Sequence, residues 1–253
     1  MSEQSAERSR IGFLRVLMQA IHGLRDDKMA VLVPMAAGAV VAAVDHLRRG
    51  DPIPVTDYVG VRELRFAISL DVPVTITGTT TTQLNAVGGL RAQWVAWLFV
   101  LQLAGFLASV GAGLFVLSRV RARPLTNRTA GRYVVFAFLV SLLSVLFEIR
   151  SVWIVIPLFV IGMFVFVRLF LVSGLIVDGA TIVEAIQKSW RRTRGYGRTI
   201  LAIFIVLGLC HHLLLSVPLV GPVGSGLIVS IHGGSIGVIL ERTAHSGTEN
   251  TRQ

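Results

Sequence analysis

Long apolar runs alternate with short polar segments along most of this chain. A helix that crosses a bilayer needs about 20 mostly apolar residues. Six runs approach that length: 29–47, 93–118, 133–148, 152–175, 199–219 and 223–240. The pattern predicts an all-α polytopic membrane protein of about six transmembrane helices, the first at 29–49 and the other five within a membrane region at 92–240. Because the third run is short, we expect 133–177 to form a hairpin with its turn near 150–155.

Two further segments have the period of an amphipathic helix. The apolar face of the first, at 1–28, consists of Ile11, Leu14, Leu17, Met18, Ile21 and Leu24. In the second, at 181–194, Thr181 and Glu184 fit a capping box. Its apolar face consists of Ile182, Val183, Ile186 and Trp190. We expect both helices to lie along the inner membrane surface, either as connectors or as lipid-sensing levers.

The segment 50–91, between the first two spans, has a different period. From Leu64 to Ile76, apolar residues alternate with mostly polar ones, which is typical of a half-buried β-strand. Pro73 limits this run to an edge strand or to two shorter strands. We predict an extracytoplasmic β-rich cap, either a hairpin or a three-stranded sheet. Its apolar face needs a partner, because an isolated hairpin is marginally stable. That partner is the helix bundle, another protein or a second copy of the chain.

Charge indicates the side of the membrane on which each link lies. The 253 residues are 53% hydrophobic and 15% charged, with a net charge of +10. Seventeen of the 24 lysines and arginines lie in the N-terminal segment, the tail, the link between spans two and three and the link between spans four and five. Cytoplasmic links are rich in these residues, so we expect a cell-membrane protein with both termini in the cytoplasm and a disordered tail at 241–253. The distribution of lysine and arginine among cytoplasmic links explains the net positive charge. We therefore expect the lipid bilayer, and not nucleic acid, as the partner.

Few polar side chains fall inside the apolar runs. Cys210, His211 and His232 could bind a metal ion or a haem iron. However, adjacent histidines point about 100° apart on a helix, and hydrogen bonding between helices is the alternative. Arg168 lies toward the cytoplasmic end of its span. From there its guanidinium can reach the interface, Asp178, or the carboxylate or phosphate of a substrate.

Other residues indicate contact surfaces rather than chemistry. Arg191 and Arg194 lie on the basic face of the second amphipathic helix, which suits anionic lipid headgroups. Small residues repeat every four positions in two spans, and they form packing faces within the chain or between copies. These residues are Gly105, Ser109 and Gly113 in one span, and Gly226, Ser230 and Gly234 in the other. There is no His-Glu-x-x-His motif and no phosphate-binding loop. We expect no catalytic residue, no metal and no cofactor.

One stretch resembles a known family. Residues 172–178 read Val-Ser-Gly-Leu-Ile-Val-Asp, and 185–195 read Ala-Ile-Gln-Lys-Ser-Trp-Arg-Arg-Thr-Arg-Gly. The stretch is similar to the superfamily of prokaryotic multi-pass membrane proteins that includes YciC-like proteins, the membrane domain beside some glycerophosphodiester phosphodiesterases, and archaeal families of unknown function. The resemblance implies a layout of spans and interfacial helices. It implies no catalysis, because nothing here resembles the acidic metal site of the phosphodiesterase.

Three functions remain open from the sequence. The first is a non-enzymatic scaffold, regulator or envelope-organising protein that contacts a protein partner or another copy through 50–91. The second is a small-solute or lipid transporter whose path is lined by Arg168, Ser141, Ser144 and His211. The third is a metal- or haem-binding membrane protein.

Overall fold

The computed structural model describes residues 12–51, 55–57, 80–82, 91–146, 152–217 and 220–249. Within these ranges the chain forms nine helices and two short strands. They are α1 Phe13–Asp26, α2 Met29–Gly50, β1 Val55–Asp57, β2 Thr80–Thr82, α3 Ala92–Val120, α4 Asn127–Leu146, α5 Val152–Leu169, α6 Val172–Val177, α7 Ile182–Arg192, α8 Gly197–Leu215 and α9 Val220–Glu249.

Five helical segments of the described chain are long and apolar enough to cross a membrane. They are Met29–Gly50, Ala92–Val120, Val160–Val177, Gly197–Leu215 and Val220–Ala244. The prediction of a helical membrane protein is therefore confirmed at the level of class. The remaining predicted span, 133–148, corresponds to α4, which begins with the polar turn Asn127–Arg132. The predicted hairpin turn is partly wrong, because α5 is already helical from Val152.

Helix α9 is the centre of the bundle and contacts α1, α2, α3, α6 and α8. Its backbone comes very close to that of α2, where a Cβ added at Gly226 would lie 2.2 Å from the carbonyl oxygen of Pro34. Proline has no amide hydrogen, so Pro34 leaves the carbonyl of Ala30 without its helical donor. The hydroxyl of Ser230 donates to that carbonyl at 2.9 Å. Small residues on α9 and a proline in α2 thus fit together at one interface.

The amphipathic helix α1 packs on the bundle along one side only. Val16, Leu17, Ala20 and Leu24 are buried. The backbone of α9 comes close here, because a Cβ at Gly234 would lie 3.1 Å from the Cβ of Ala20. The predicted apolar face is therefore split. Part of it faces outward, as an exposed set of Leu14, Met18 and Ile21, and Ile11 lies outside the described residues.

The predicted span at 152–175 is broken between α5 and α6. In a regular helix the amide of Leu171 would bond within its own helix. Here it donates to the hydroxyl of Ser189 on α7 at 3.3 Å, and that hydroxyl donates to the carbonyl of Arg168 at 2.6 Å. A side chain inserted into the backbone ladder is a known cause of helix breaks. Ser189 therefore attaches α7 to the break.

Helix α7 begins with the predicted capping box, in which Thr181 accepts from the Glu184 amide and Glu184 accepts from the Thr181 amide. The backbone hydrogen bond from Thr181 holds the pKa of Glu184 below its ordinary value. The predicted apolar face is wrong in part. Val183 is 64% exposed, while Ala185 and Ser189 are buried. The side of α7 that faces the bundle is the one that contains Ser189, because the Ser189 hydroxyl bonds to the backbone at the break between α5 and α6.

The outer segment and the tail are described only in part. Strands β1 and β2 pair antiparallel with Val55 opposite Thr82, over three residues each. The predicted strands between Leu64 and Ile76 lie outside the described residues. The tail prediction is wrong for 241–249, because α9 continues to Glu249. Its extension is held by Arg242, which donates to Gln19 of α1.

Candidate functional site: an internal cavity and an arginine clasp

An internal cavity of about 30 Å³ lies where α4, α5, α6, α8 and α9 meet. Most of its wall is aromatic or aliphatic, with rings from Phe136, Phe166, Phe170 and Phe204. The Phe170 and Phe204 rings pack edge to face at 5.4 Å. All lining residues are buried or half-buried, so most of the cavity lies between the helices of the bundle.

Three polar side chains from three different helices line this cavity. They are Tyr133 of α4, Ser173 of α6 and His232 of α9, which are 1%, 1% and 3% exposed. The Tyr133 hydroxyl, the Ser173 hydroxyl and Nδ1 of His232 are buried and have no hydrogen-bond partner among the described residues. The His232 ring packs on Phe170, with ring centroids 5.0 Å apart. Buried polar groups of native proteins are normally hydrogen-bonded, so three unpaired groups at one cavity mark a candidate binding site.

The three residues considered as metal ligands are not brought together. Cys210 is exposed, whereas His211 is buried and His232 faces the cavity described above. Within the described part of the chain, no group of three histidine, cysteine, aspartate or glutamate side chains could hold a metal ion. Consecutive positions on α8 point in different directions, which separates Cys210 from His211.

Of the alternatives that the sequence leaves open for Arg168, the contact with Asp178 is not the one that the structure shows. Its guanidinium carbon lies 5.1 Å from the ring centre of Phe164 and 5.4 Å from that of Trp190. Its Nη1 donates to the Trp190 carbonyl at 3.5 Å and to the Thr193 hydroxyl at 3.4 Å. Phe164 and Trp190 are themselves exposed. A cation between two exposed aromatic rings at the end of a span suits the interfacial region of a bilayer.

Asp178 instead belongs to a group of polar contacts that we call the arginine clasp: Arg119, Arg121 and Arg132 with their acceptors. Arg121 donates from Nε and Nη2 to the two carboxylate oxygens of Asp178, at 3.0 and 2.9 Å. Both side chains of that pair are at most 20% exposed. Arg123 lies at 4.0 Å from the same carboxylate. The α3–α4 link is thereby joined to the α6–α7 link by a bidentate ion pair.

The remaining arginines of the clasp extend it to α4 and to the α1–α2 joint. Arg132 donates to the carbonyl oxygens of Gly179 and Ala180, at 3.0 and 3.3 Å. Arg119 donates to the carboxylate of Asp27 at 2.7 Å, and this hydrogen bond holds the pKa of Asp27 below its ordinary value. The clasp therefore fixes α1, α3, α4 and α6 to one another at a single end of the bundle, which we call the arginine end.

Arg191 and Arg194 take no part in the clasp contacts described above. Both are exposed, Arg191 on α7 and Arg194 in the turn that follows it. Arg191 donates from Nε to the carbonyl oxygen of Gln187, one turn back on its own helix. These side chains lie on the surface, beside the arginine end.

The small-residue stripe of α9 lies at contacts within the chain. Gly226 and Ser230 face α2, and Gly234 faces α1. On α3 the stripe is less uniform. Ser109 and Gly113 are buried, whereas a Cβ at Gly105 would meet no atom within 4 Å.

Two of the three cavity groups, Tyr133 and Ser173, were missed by sequence reasoning. A polar residue inside an apolar run was the available signal, and it applied to Ser173. The sequence also contains a Gly-x-Ser-x-Gly spacing at 233–237, which on a strand-to-helix turn would mark a nucleophile. Here Ser235 is buried in the middle of α9, and its hydroxyl donates to the Ile231 carbonyl at 2.8 Å. This spacing therefore serves helix packing.

Comparison of the chain with protein-family models, with curated proteins and with solved structures finds no match. The geometry of the cavity and of the clasp is therefore the basis for any functional assignment.

Proposed function

We propose that this chain is a non-enzymatic multi-pass protein of the cytoplasmic membrane that organises or regulates other proteins. In this proposal the protein has six spans, which are α4 and the five candidate membrane-spanning segments given above. Both termini lie in the cytoplasm. The arginine end is the cytoplasmic end, since cytoplasmic links are rich in lysine and arginine. The observation that carries the proposal is the arginine clasp.

The clasp favours a fixed framework over a transport cycle. Alternating access requires one group of helices to rock against another. At the arginine end, such rocking would break the bidentate Arg121–Asp178 pair and the bonds from Arg132 to two backbone carbonyls. A largely buried charge-assisted bond such as those of the Arg121–Asp178 pair contributes about 1.5–3 kcal/mol, and the more exposed Arg132 bonds contribute less, so opening this end has a cost. A framework that stays closed suits a protein that presents fixed surfaces to partners.

The outer segment 50–91 is the proposed contact surface for a protein partner or a second copy. The described part of it is anchored to the bundle, because Trp97 of α3 donates to the Asp51 carboxylate at 2.7 Å and β2 contacts α2. In our proposal the alternating residues from Leu64 to Ile76 complete a β-rich cap on this anchor. Unpaired strand edges and apolar strand faces are common binding surfaces.

Contacts with lipid belong to the same proposal. The exposed apolar side of α1 and the exposed Val183 and Trp190 of α7 would face lipid at the interface. Arg168, Arg191 and Arg194 would face phosphate headgroups beside them. Both amphipathic helices would then hold the arginine end at a fixed depth.

Native mass spectrometry of the protein extracted gently from its own membranes tests this proposal. We expect a stoichiometric protein partner or a second copy of the chain. Replacing Leu64, Phe66 and Ile68 by serine should abolish that association. Val183→Ser is the matched control, because it removes an exposed apolar residue at the arginine end and should leave the association intact. A single chain that carries only a bound solute or lipid would contradict the proposal and favour the transporter.

A further inference from the structure

The internal cavity has the composition of a ligand site rather than of a packing defect. Packing defects in protein cores are apolar and stay dry. Three of the residues that line it have a buried polar atom without a partner among the described residues, namely the Tyr133 hydroxyl, the Ser173 hydroxyl and Nδ1 of His232. Leaving such groups unpaired in a low-dielectric interior is unfavourable. Their convergence from three helices on one space therefore points to a bound molecule.

The chemistry of the wall defines the class of that molecule. Every residue that lines the cavity is uncharged or a histidine, and no lysine, arginine, aspartate or glutamate is among them. The two hydroxyl groups can each donate and accept, and Nδ1 of a neutral histidine does one or the other, depending on the tautomer. A neutral ligand that can both donate and accept hydrogen bonds satisfies all three groups, whichever tautomer His232 adopts. A hydroxyl group has these properties.

The size of the cavity limits the ligand further. A water molecule needs about 10–15 Å³ of cavity volume. The cavity volume of about 30 Å³ therefore holds two waters, or one molecule of two or three non-hydrogen atoms. The four phenylalanine rings suit the short apolar part of a small alcohol. Larger substrates are excluded by size, and ions are disfavoured because no charged side chain lines the cavity.

We propose that the cavity binds small hydroxyl ligands, either two ordered waters or a short-chain alcohol, through Tyr133, Ser173 and His232. The site lies next to the arginine clasp. Tyr133 follows Arg132 in α4, and Ser173 lies in the same six-residue helix that leads to Asp178. A ligand that joins α4, α6 and α9 holds the helices whose ends the clasp joins, so its occupancy adjusts the stability of the arginine end.

The first test removes hydroxyl groups with little change in volume. We expect Tyr133→Phe and Ser173→Ala each to lower the thermal midpoint of the full-length protein in lipid nanodiscs by several degrees. The double variant should lose less than the sum, because both hydroxyls bind the same ligand. Ser225→Ala is the matched control, a buried serine of α9 whose hydroxyl bonds to the Gly221 carbonyl of its own helix, and it should have little effect. If both single variants had thermal midpoints equal to or above that of Ser225→Ala, the proposal would be overturned. Removing a buried hydroxyl that binds no ligand is neutral or stabilising.

The second test uses the wild-type protein and does not depend on the variants folding. Solid-state NMR of the protein in liposomes should show magnetisation transfer from water to the His232 ring if the ligand is water. After incubation with deuterated ethanol, transfer from water should fall if the site also accepts an alcohol, and it should persist if the site takes water alone. No transfer from water and no change in the His232 signals with ethanol would overturn the proposal.

Discussion

The close contact between α2 and α9 gives the sharpest prediction for folding, the effect of Gly226→Ala. The new Cβ would lie 2.2 Å from the Pro34 carbonyl oxygen, 2.5 Å from its carbon and 2.7 Å from the Met35 nitrogen. All three are backbone atoms, so the helices must separate by about 1 Å to reach ordinary contact distance. Overpacking of this kind costs about 1–3 kcal/mol.

Two smaller terms modify that cost. The hydrogen bond from Ser230 to the Ala30 carbonyl lies one turn away, and weakening it costs up to about 1 kcal/mol. Alanine regains up to about 1 kcal/mol of helix propensity relative to glycine. The net expectation for Gly226→Ala is a loss of about 2 kcal/mol of unfolding free energy. For a domain of this size, that loss lowers the thermal midpoint by about 4–8 °C.

The assay is thermal unfolding in lipid nanodiscs, followed by tryptophan fluorescence, with Gly105→Ala as the control. A Cβ at Gly105 would meet no atom within 4 Å, so this variant keeps only the gain in propensity and should be equal to the wild type or slightly more stable. The two substitutions are chemically identical and differ only in their surroundings. If Gly226→Ala were as stable as Gly105→Ala, the proposed packing of α9 on α2 would be refuted.

Three further predictions concern the arginine end. Asp178→Asn should cost about 1.5–3 kcal/mol of unfolding free energy, and a thermal double-mutant cycle with Arg121→Gln should show strong coupling; additive losses would contradict the ion pair. Ala122 has a φ of 47°, in the left-handed region, so Ala122→Gly should stabilise the protein by about 1 kcal/mol, and a lower midpoint would contradict this. Because the hydrogen bond from Arg119 lowers the pKa of Asp27, the Asp27 carboxylate contributes stability that is fully present above about pH 4 and is lost as the pH falls through the lowered value. Asp27→Asn should reduce the fall of the thermal midpoint between pH 6 and pH 3. A pH dependence equal to that of the wild type would contradict this.

The helical class and the capping box could be predicted because both depend on local sequence. Apolar runs of membrane length report burial in lipid or protein whatever their neighbours are. The capping box of Thr181 and Glu184 closes within four residues, so its spacing is sufficient evidence. The split of the α1 apolar face could not be predicted, since it depends on which helix approaches that side.

Contacts between distant segments account for the other misses. Ser189 is buried because a helix break 18 residues earlier needs its hydroxyl, and apolar periodicity carries no information on that need. Asp178 was one of three alternatives for the contact of Arg168, with the membrane interface and a substrate anion. The carboxylate is taken by Arg121, which is 57 residues away. The cavity required three helices to converge, and His232 alone of its polar groups was a candidate from sequence.

The most direct test of the central claim is whether the arginine end stays closed. Spin labels at Leu125→Cys and Val183→Cys, in a Cys210→Ser background, report the distance between the α3–α4 link and α7. Both label positions are exposed, and Cys210 is the one cysteine of the sequence. Double electron–electron resonance in nanodiscs should give one narrow distance distribution, and adding Asp178→Asn should broaden it. Two well-separated populations in the otherwise wild-type protein would mean that this end opens and closes, and would contradict the account.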